Sequence, residues 1–436
     1  MSRRRADLYA AAAAAALFAL AALAGGLLGL AGRPVHAGAA PLFAHWLPHL
    51  GPGTPLAAAV AVLVCRYGSR LAARLRWRTL LAVSYLTAVA WTLSLALVDG
   101  WQRGVAGRLT TGPEYLTEVP GVTSVPAMLR GFSGRILDHQ PDSWTTHVAG
   151  HPPGALLVFV GLDRLGLSGG AWAGLLCVAV GALTAVAVPA TVRLAGSDRA
   201  GRAATPFVAL FPGAVWVGVS ADGLFAGVTA TGIGLFAYGL ARRSALAAFA
   251  GGLLLGASVY LSYGMVLIFV IVAAVVLAVP HGRRTAGWAM AGVVVVVVAF
   301  TAAGFDWLTG YHLVTRRYYQ GLAAHRPYAY WVWANLAALT VAAGPIAAVI
   351  LRRATPRLSL RTAGAAPWLL PVAAAAAILA ADLTGYSKAE VERIWLPFAV
   401  WLMAGAALVP ARPRRWWLAG QAVVALVVNH LLLTVW

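Results

Sequence analysis

The chain has 436 residues, of which 61% are hydrophobic and 11% charged, and a formal net charge of +20. With a mean hydropathy of +0.79, this composition excludes a soluble globular protein. The positive charge does not point to nucleic acid: the arginines come in short clusters between apolar runs, and no basic stripe with interleaved aromatics occurs.

Apolar runs of roughly 15 to 23 residues recur from end to end, the length that bilayer-crossing helices require. Ser2-Arg3-Arg4-Arg5 precedes the run 9–31, and Ala37-Gly38-Ala39 looks like a cleavage site. The run is longer than the roughly 7 to 15 apolar residues of a secretory signal, so it reads as a retained first helix with its N-terminus inside. A short span near 52–65 returns the chain to Arg66, Arg70, Arg74, Arg76 and Arg78. The span 79–98 then exits, leaving Asp99 at its outer end.

Residues 99–154 form the longest polar interval; it holds Asp99, Glu114, Glu118, Asp138 and Asp142 and closes on His147-Val148-Ala149-Gly150-His151-Pro152-Pro153-Gly154. The following run, 154–167, is short and carries Asp163 and Arg164, whereas 171–192 is full length and precedes Arg193, Arg199 and Arg202. An odd number of crossings must separate an outer loop from an inner one. One of these two segments therefore crosses, and the shorter is expected to be re-entrant or juxtamembrane.

Further spans are expected near 203–219, 223–241, 244–259, 264–279, 287–304, 331–350, 365–381, 394–410 and 416–436. Inner loops carry Arg242/Arg243, Arg283/Arg284, Arg352 to Arg361 and Arg412 to Arg415, and of the acids only Asp7 and Asp198 fall inside. The expected fold is all-α: a polytopic membrane helical bundle of about thirteen transmembrane helices, with extracytoplasmic juxtamembrane helices in the 99–154 loop. It divides into an N-terminal hairpin (1–78), a main membrane module (79–400) and C-terminal transmembrane helices (401–436). The expected location is the plasma membrane, multi-pass. Gly170/Gly174 and Gly252/Gly256 have the spacing that lets helices pack closely. Cys65 and Cys177 lie far apart inside apolar runs and read as packing residues. No phosphate-binding glycine loop of the P-loop or Rossmann type occurs.

Ionisable residues at membrane depth are costly and usually functional, and here they gather on one face. Asp99, at a helix end beside a glycine, can reach a cavity roofed by the loop that follows. Glu114, in Gly112-Pro113-Glu114-Tyr115-Leu116, opens what reads as an amphipathic juxtamembrane helix. Two carboxylates on one cavity would let one act as general base while the other orients the acceptor or a metal. His147 and His151 have the four-residue spacing of helical metal ligands, but Pro152 and Pro153 bias residue 151 away from helix and no third ligand is near. They are therefore assigned to substrate or loop hydrogen bonding, with no metal site. Asp222, in Ser220-Ala221-Asp222-Gly223, falls at an outer turn. Two later outer loops carry positive charge against the charge rule: Arg316-Arg317-Tyr318-Tyr319 with Arg326, and Lys388 to Arg393, which includes Glu392. Arginine forks suit a phosphate, and neighbouring aromatics suit a sugar face or the headgroup layer.

These stretches resemble the GT-C membrane glycosyltransferases, which include protein O-mannosyltransferases and actinobacterial arabinosyl- and mannosyltransferases of cell-envelope assembly. The resemblance is carried by the acidic outer loop running into His151-Pro152-Pro153-Gly154, by Ser220-Ala221-Asp222-Gly223-Leu224-Phe225-Ala226, and by Glu392-Arg393-Ile394-Trp395-Leu396-Pro397, in order over roughly 79–400. The chain departs from the family pattern in having two helices before the acidic span and in separating Asp99 from Glu114, so either can match the family's catalytic carboxylate. The resemblance implies transfer of a sugar from a polyprenyl-phosphate donor to a hydroxyl of a glycan, lipid or protein acceptor on the outer face. Asp99 or Glu114 would be the base, and cations among Arg316, Arg317, Arg326 and Arg393 would hold the lipid phosphate. No cofactor is certain from the sequence; a divalent cation, Mg or Mn, is the candidate. A membrane transporter or lipid flippase is the alternative, and it predicts ionisable residues within spans and repeat symmetry.

Overall fold

A computed structural model describes residues 2–358 and 364–435. Arg361 lies outside the described residues, and the side chain of Arg283 is likewise not described. The fold is a polytopic membrane bundle of helices. Among the described residues six are long and apolar enough to cross a bilayer: Arg3–Leu30, Thr54–Arg74, Trp77–Asp99, Gly170–Ala195, Ala221–Arg242 and Ala366–Leu383.

Two bent pairs, Ala286–Ala302 with Trp307–Tyr318 (75°) and Tyr328–Ala343 with Ile346–Arg357 (106°), bring the number to eight if each is one span. The expected count of about thirteen is thereby corrected. Hydropathy marks every apolar run, but several runs fold into helices too short to qualify, such as Ala245–Leu261, Tyr263–Ala278 and Leu396–Leu408. The run 203–219 splits into Asp198–Ala209 and Ala214–Val217, with Pro212 in the break. The run 331–350 breaks at Gly344, whose φ of 81° favours glycine, followed by Pro345. Residues Pro153–Arg164 form a helix of 12 residues, preceding the Gly170–Ala195 candidate span.

The ends of the bundle differ in chemistry. The first helix has 28 residues and is therefore about 42 Å long. Near its start, Asp7 is buried and paired with Arg352 and Arg353. At the same end Arg353 donates to the Leu408 carbonyl. Arg202 donates to the Ala72 and Leu75 carbonyls and, with Arg193, pairs with Asp198.

Beyond the far end of the first helix, Val35 accepts from the Trp331 indole and the His36 carbonyl faces Arg326. There β1 (Ala44–Trp46) pairs antiparallel with β2 (Leu432–Thr434). The 99–154 loop folds onto this end around an apolar core in which its Tyr115, Phe132 and Trp144 join Phe159, Phe225, Tyr260 and Phe305 from later in the chain. Within the loop lie short helical turns, among them Tyr115–Thr117, Val125–Gly131 and Thr146–Gly150.

Candidate active site

The chain's local chemistry sets several carboxylates and cations facing one another at this end. Ser220 caps the Ala221–Arg242 helix by accepting from the Gly223 amide at 3.3 Å, which holds Asp222 in the first turn, buried. The turn Thr146–Gly150 presents His147, and His151, the residue before Pro152, is extended (φ −128°, ψ 156°). Pro153 then starts the next helix at a position where its missing N–H costs nothing. Glu390 sits in the left-handed region (φ 63°) ahead of the short helix Val391–Ile394, which carries Glu392 and Arg393.

Arg393 is the hub. Its Nη1 donates to Asp222 Oδ2 at 2.5 Å and its Nη2 donates to Glu390 Oε2 at 2.8 Å. Nη2 also lies 3.5 Å from His147 Nε2. On its other side, His147 Nδ1 is 2.9 Å from Glu114 Oε1. A guanidinium can only donate, so His147 presents its Nε2 lone pair to Arg393 and its Nδ1 hydrogen to Glu114. Glu114 is buried, and among the described residues its Oε2 has no hydrogen-bond partner. Arg326 extends the network: it pairs with Glu390 at 3.0 Å and donates to the Lys388 carbonyl at 2.7 Å. Asp222 and Glu390 thus share two guanidiniums (Arg393, Arg326), and a third carboxylate, Glu114, joins them through His147.

Burial alone would raise the Glu390 carboxyl, but the charges of Arg393 and Arg326 outweigh it and hold it below its ordinary value. Burial likewise disfavours the charged form of Arg393, yet Asp222 and Glu390 raise its proton affinity above the usual. His151 behaves oppositely: burial pushes it down to about 4, so it is neutral at pH 7. Its Nδ1 lies 2.8 Å from the His147 carbonyl and 2.9 Å from the Tyr115 hydroxyl. The carbonyl can only accept, so Nδ1 carries the hydrogen and Nε2 the lone pair. Glu392 is fully buried; its Oε1 accepts from the Phe43 amide at 2.8 Å, and burial pushes its carboxyl up to about 7. The Lys388 ammonium lies 5.1 Å from the Tyr319 ring centre and 5.9 Å from that of Tyr318, whose hydroxyl accepts from the Lys388 amide. Burial and the nearby Arg326 hold the Lys388 pKa below the ordinary lysine value.

Of the residues singled out from sequence, Glu114, His147, His151, Asp222, Tyr318, Arg326, Lys388, Glu392 and Arg393 are drawn into or against this network. Three stand elsewhere. Asp99 belongs to a separate cluster, 2.9 Å from His49 Nε2, 3.1 Å from Arg103 and 3.0 Å from Arg108. Arg317 pairs with Asp138 at 2.6 Å. Arg316 is exposed, and among the described residues its side chain has no ion-pair partner. Glu114 does not open an amphipathic helix; it is extended, just before the single turn Tyr115–Thr117. Sequence reading passed over two participants. Glu390 lies within the stretch Lys388 to Arg393 without being singled out there, and Tyr115 gives no signal beyond its place after Glu114. Among the described residues no three His, Cys, Asp or Glu side chains converge as metal ligands.

No family model matches the chain, and no curated protein does. Among solved structures, it is similar to ArnT from Cupriavidus metallidurans in the apo state: TM-score 0.48 and 19% identity over 76% of this chain and 60% of that one. It is also similar to the Archaeoglobus fulgidus oligosaccharyltransferase in complex with Zn and sulfate: TM-score 0.46 and 13% identity over 81% of this chain and 53% of that one. The chain therefore spans about three-fifths and about half of the length of these two proteins.

Proposed function

We propose that the chain is a GT-C-type glycosyltransferase that moves a sugar from a polyprenyl-phosphate donor to an acceptor hydroxyl, with Glu114 as general base. The observation that carries this reading is the state of Glu114: it is buried, one oxygen is held by His147, and the other is unpartnered beside the Asp222–Arg393–Glu390 network. An acceptor hydroxyl reaching Oε2 would give up its proton there as its oxygen attacks the anomeric carbon. The bond from that carbon to the phosphate oxygen breaks in line, and the polyprenyl phosphate leaves with the electron pair, inverting the configuration.

Positive charge develops at the sugar ring in such a transition state, and a site with more carboxylates than guanidiniums suits it. Lys388, whose ammonium has ring faces and, among the described residues, no carboxylate against it, would take the departing phosphate. The arginine-rich end of the bundle is cytoplasmic by the charge rule, which puts Glu114 on the extracytoplasmic side. The test is transfer from labelled polyprenyl-phosphate sugars to envelope acceptors by the purified, reconstituted protein. Folded Glu114→Gln should lose transfer while Asp99→Asn keeps it; the reverse pattern would remove Glu114 as the base.

A further inference from the structure

A groove of about 500 Å³ lies at the opposite, arginine-rich end, within the volume range of lipid and small-molecule sites. It runs between Thr54–Arg74, Trp77–Asp99 and the helix Asp198–Ala209. The first of these winds locally into a π-helical turn at Val64–Gly68, and Gly68 lets it approach Pro206, where an added Cβ would come within 3.2 Å. Three hydroxyls in the wall are spent on backbone carbonyls: Ser84 donates to the Ala185 carbonyl, Thr87 to that of Val83 and Thr205 to that of Gly201. Most of the remaining lining is hydrocarbon, including the exposed side chains of Leu63, Leu71 and Val83.

One end of the groove is basic. Arg70 and Arg74 are one turn apart on the same helix face, and both line the groove and are exposed. Among the described residues neither has an ion-pair partner. The acids of this end are already committed, Asp7 to Arg352 and Arg353 and Asp198 to Arg193 and Arg202. An apolar trough within candidate membrane spans, ending at two uncompensated guanidiniums, is complementary to one kind of occupant. We infer that it holds an anionic glycerophospholipid, with an acyl chain along Leu63, Leu71 and Val83 and the headgroup phosphate between Arg70 and Arg74. This site is separate from the Glu114 network and does not depend on the activity proposed for it.

The test uses the full chain in nanodiscs of equimolar phosphatidylglycerol and phosphatidylcholine with matched chains, followed by native mass spectrometry of the lipids retained in detergent. The wild type should keep phosphatidylglycerol over phosphatidylcholine by roughly tenfold or more. Arg70→Gln with Arg74→Gln should bring the two lipids to parity, whereas Arg76→Gln with Arg78→Gln, just outside the groove, should leave the preference intact. Parity in the wild type, or a preference that survives the first pair of changes or is lost equally with the second, would overturn the inference. Should the first double variant fail to fold, Val83→Trp decides: it fills the trough and spares both arginines, so it should lower phosphatidylglycerol retention, and unchanged retention would again overturn it.

Discussion

Arg393 and Asp222 meet at 2.5 Å although 171 positions separate them in the chain, and both side chains are almost wholly buried. Removing Arg393 strands Asp222, typically at a cost of about 3 to 5 kcal/mol, whereas removing Asp222 leaves Arg393 with Glu390 and unbalances the buried network. Asp222→Asn and Arg393→Met should each lower the melting temperature in detergent sharply. The double change should be less damaging than the sum of the two. Additive losses would show that the two side chains do not act as a unit.

His147 orients Glu114 and links it to Arg393. His147→Phe should leave substrate affinity near wild type but reduce turnover, within the roughly 10²- to 10⁴-fold range that general-base placement contributes. His147→Asn, which can still donate to Glu114, should recover part of it. Equal turnover in the two variants would assign His147 a packing role only.

Lys388 is expected to act on the donor rather than on the proton transfer. A charge-assisted bond to phosphate is worth about 1.5 to 3 kcal/mol, so Lys388→Met should raise the KM for the polyprenyl-phosphate sugar by about ten- to a hundredfold. Steady-state kinetics with varied donor checks this; a pure kcat effect with KM unchanged would contradict it.

Two buried groups push the pH dependence of stability in opposite directions. Glu392 is raised from 4.5 to about 7, so between those values the folded protein keeps a proton that the unfolded chain releases. Its contribution therefore makes stability fall as pH rises. His151 is lowered from 6.5 to about 4, so the unfolded chain takes up a proton that the folded protein refuses, and its contribution makes stability rise over that window. Melting of Glu392→Gln should show the melting temperature climbing with pH from about 4.5 to 6.5 relative to wild type, and His151→Asn should show it dropping. Slopes identical to wild type in both variants would refute the pairing.

Close helix packing offers a further check. A Cβ on Gly252 would fall 2.0 Å from the Ala289 carbonyl oxygen, and one on Gly170 1.9 Å from that of Ala106. Gly252→Ala should destabilise by about 1 to 3 kcal/mol through overpacking, measured as a drop in thermal midpoint. Gly26→Ala, with open space around it, should have no such effect.

What the sequence could show depended on how local the determining physics was. His-Pro-Pro and Ser-Ala-Asp-Gly declare their geometry within a few residues, because proline and a capping serine constrain the backbone beside them. Asp99 and Glu114 read alike in the sequence, since both are acids in one loop; that they fall in separate clusters depends on His49 and Arg108, whose approach to Asp99 only the folded chain reveals. Glu390 does not stand out in the sequence for a similar reason: its burial between Arg326 and Arg393 joins segments more than 60 positions apart. The count of spans failed because an apolar run reports affinity for lipid, whereas a break such as Gly344-Pro345 sets how far each helix runs straight.

The strand pair of Ala44–Trp46 with Leu432–Thr434 is reinforced by Thr54 and His430, which meet at 2.9 Å across 376 positions, and by Arg108 on the Thr434 carbonyl. A clasp that spans so much of the polypeptide can shut only after the helices between its halves have been threaded into the bilayer. Closing the clasp therefore fastens the corner around Asp99, whose partner Arg108 holds Thr434, only once the intervening helices are in place, whereas the ion pairs of Glu114, Asp222, Glu390 and Arg393 are made by the intervening chain alone.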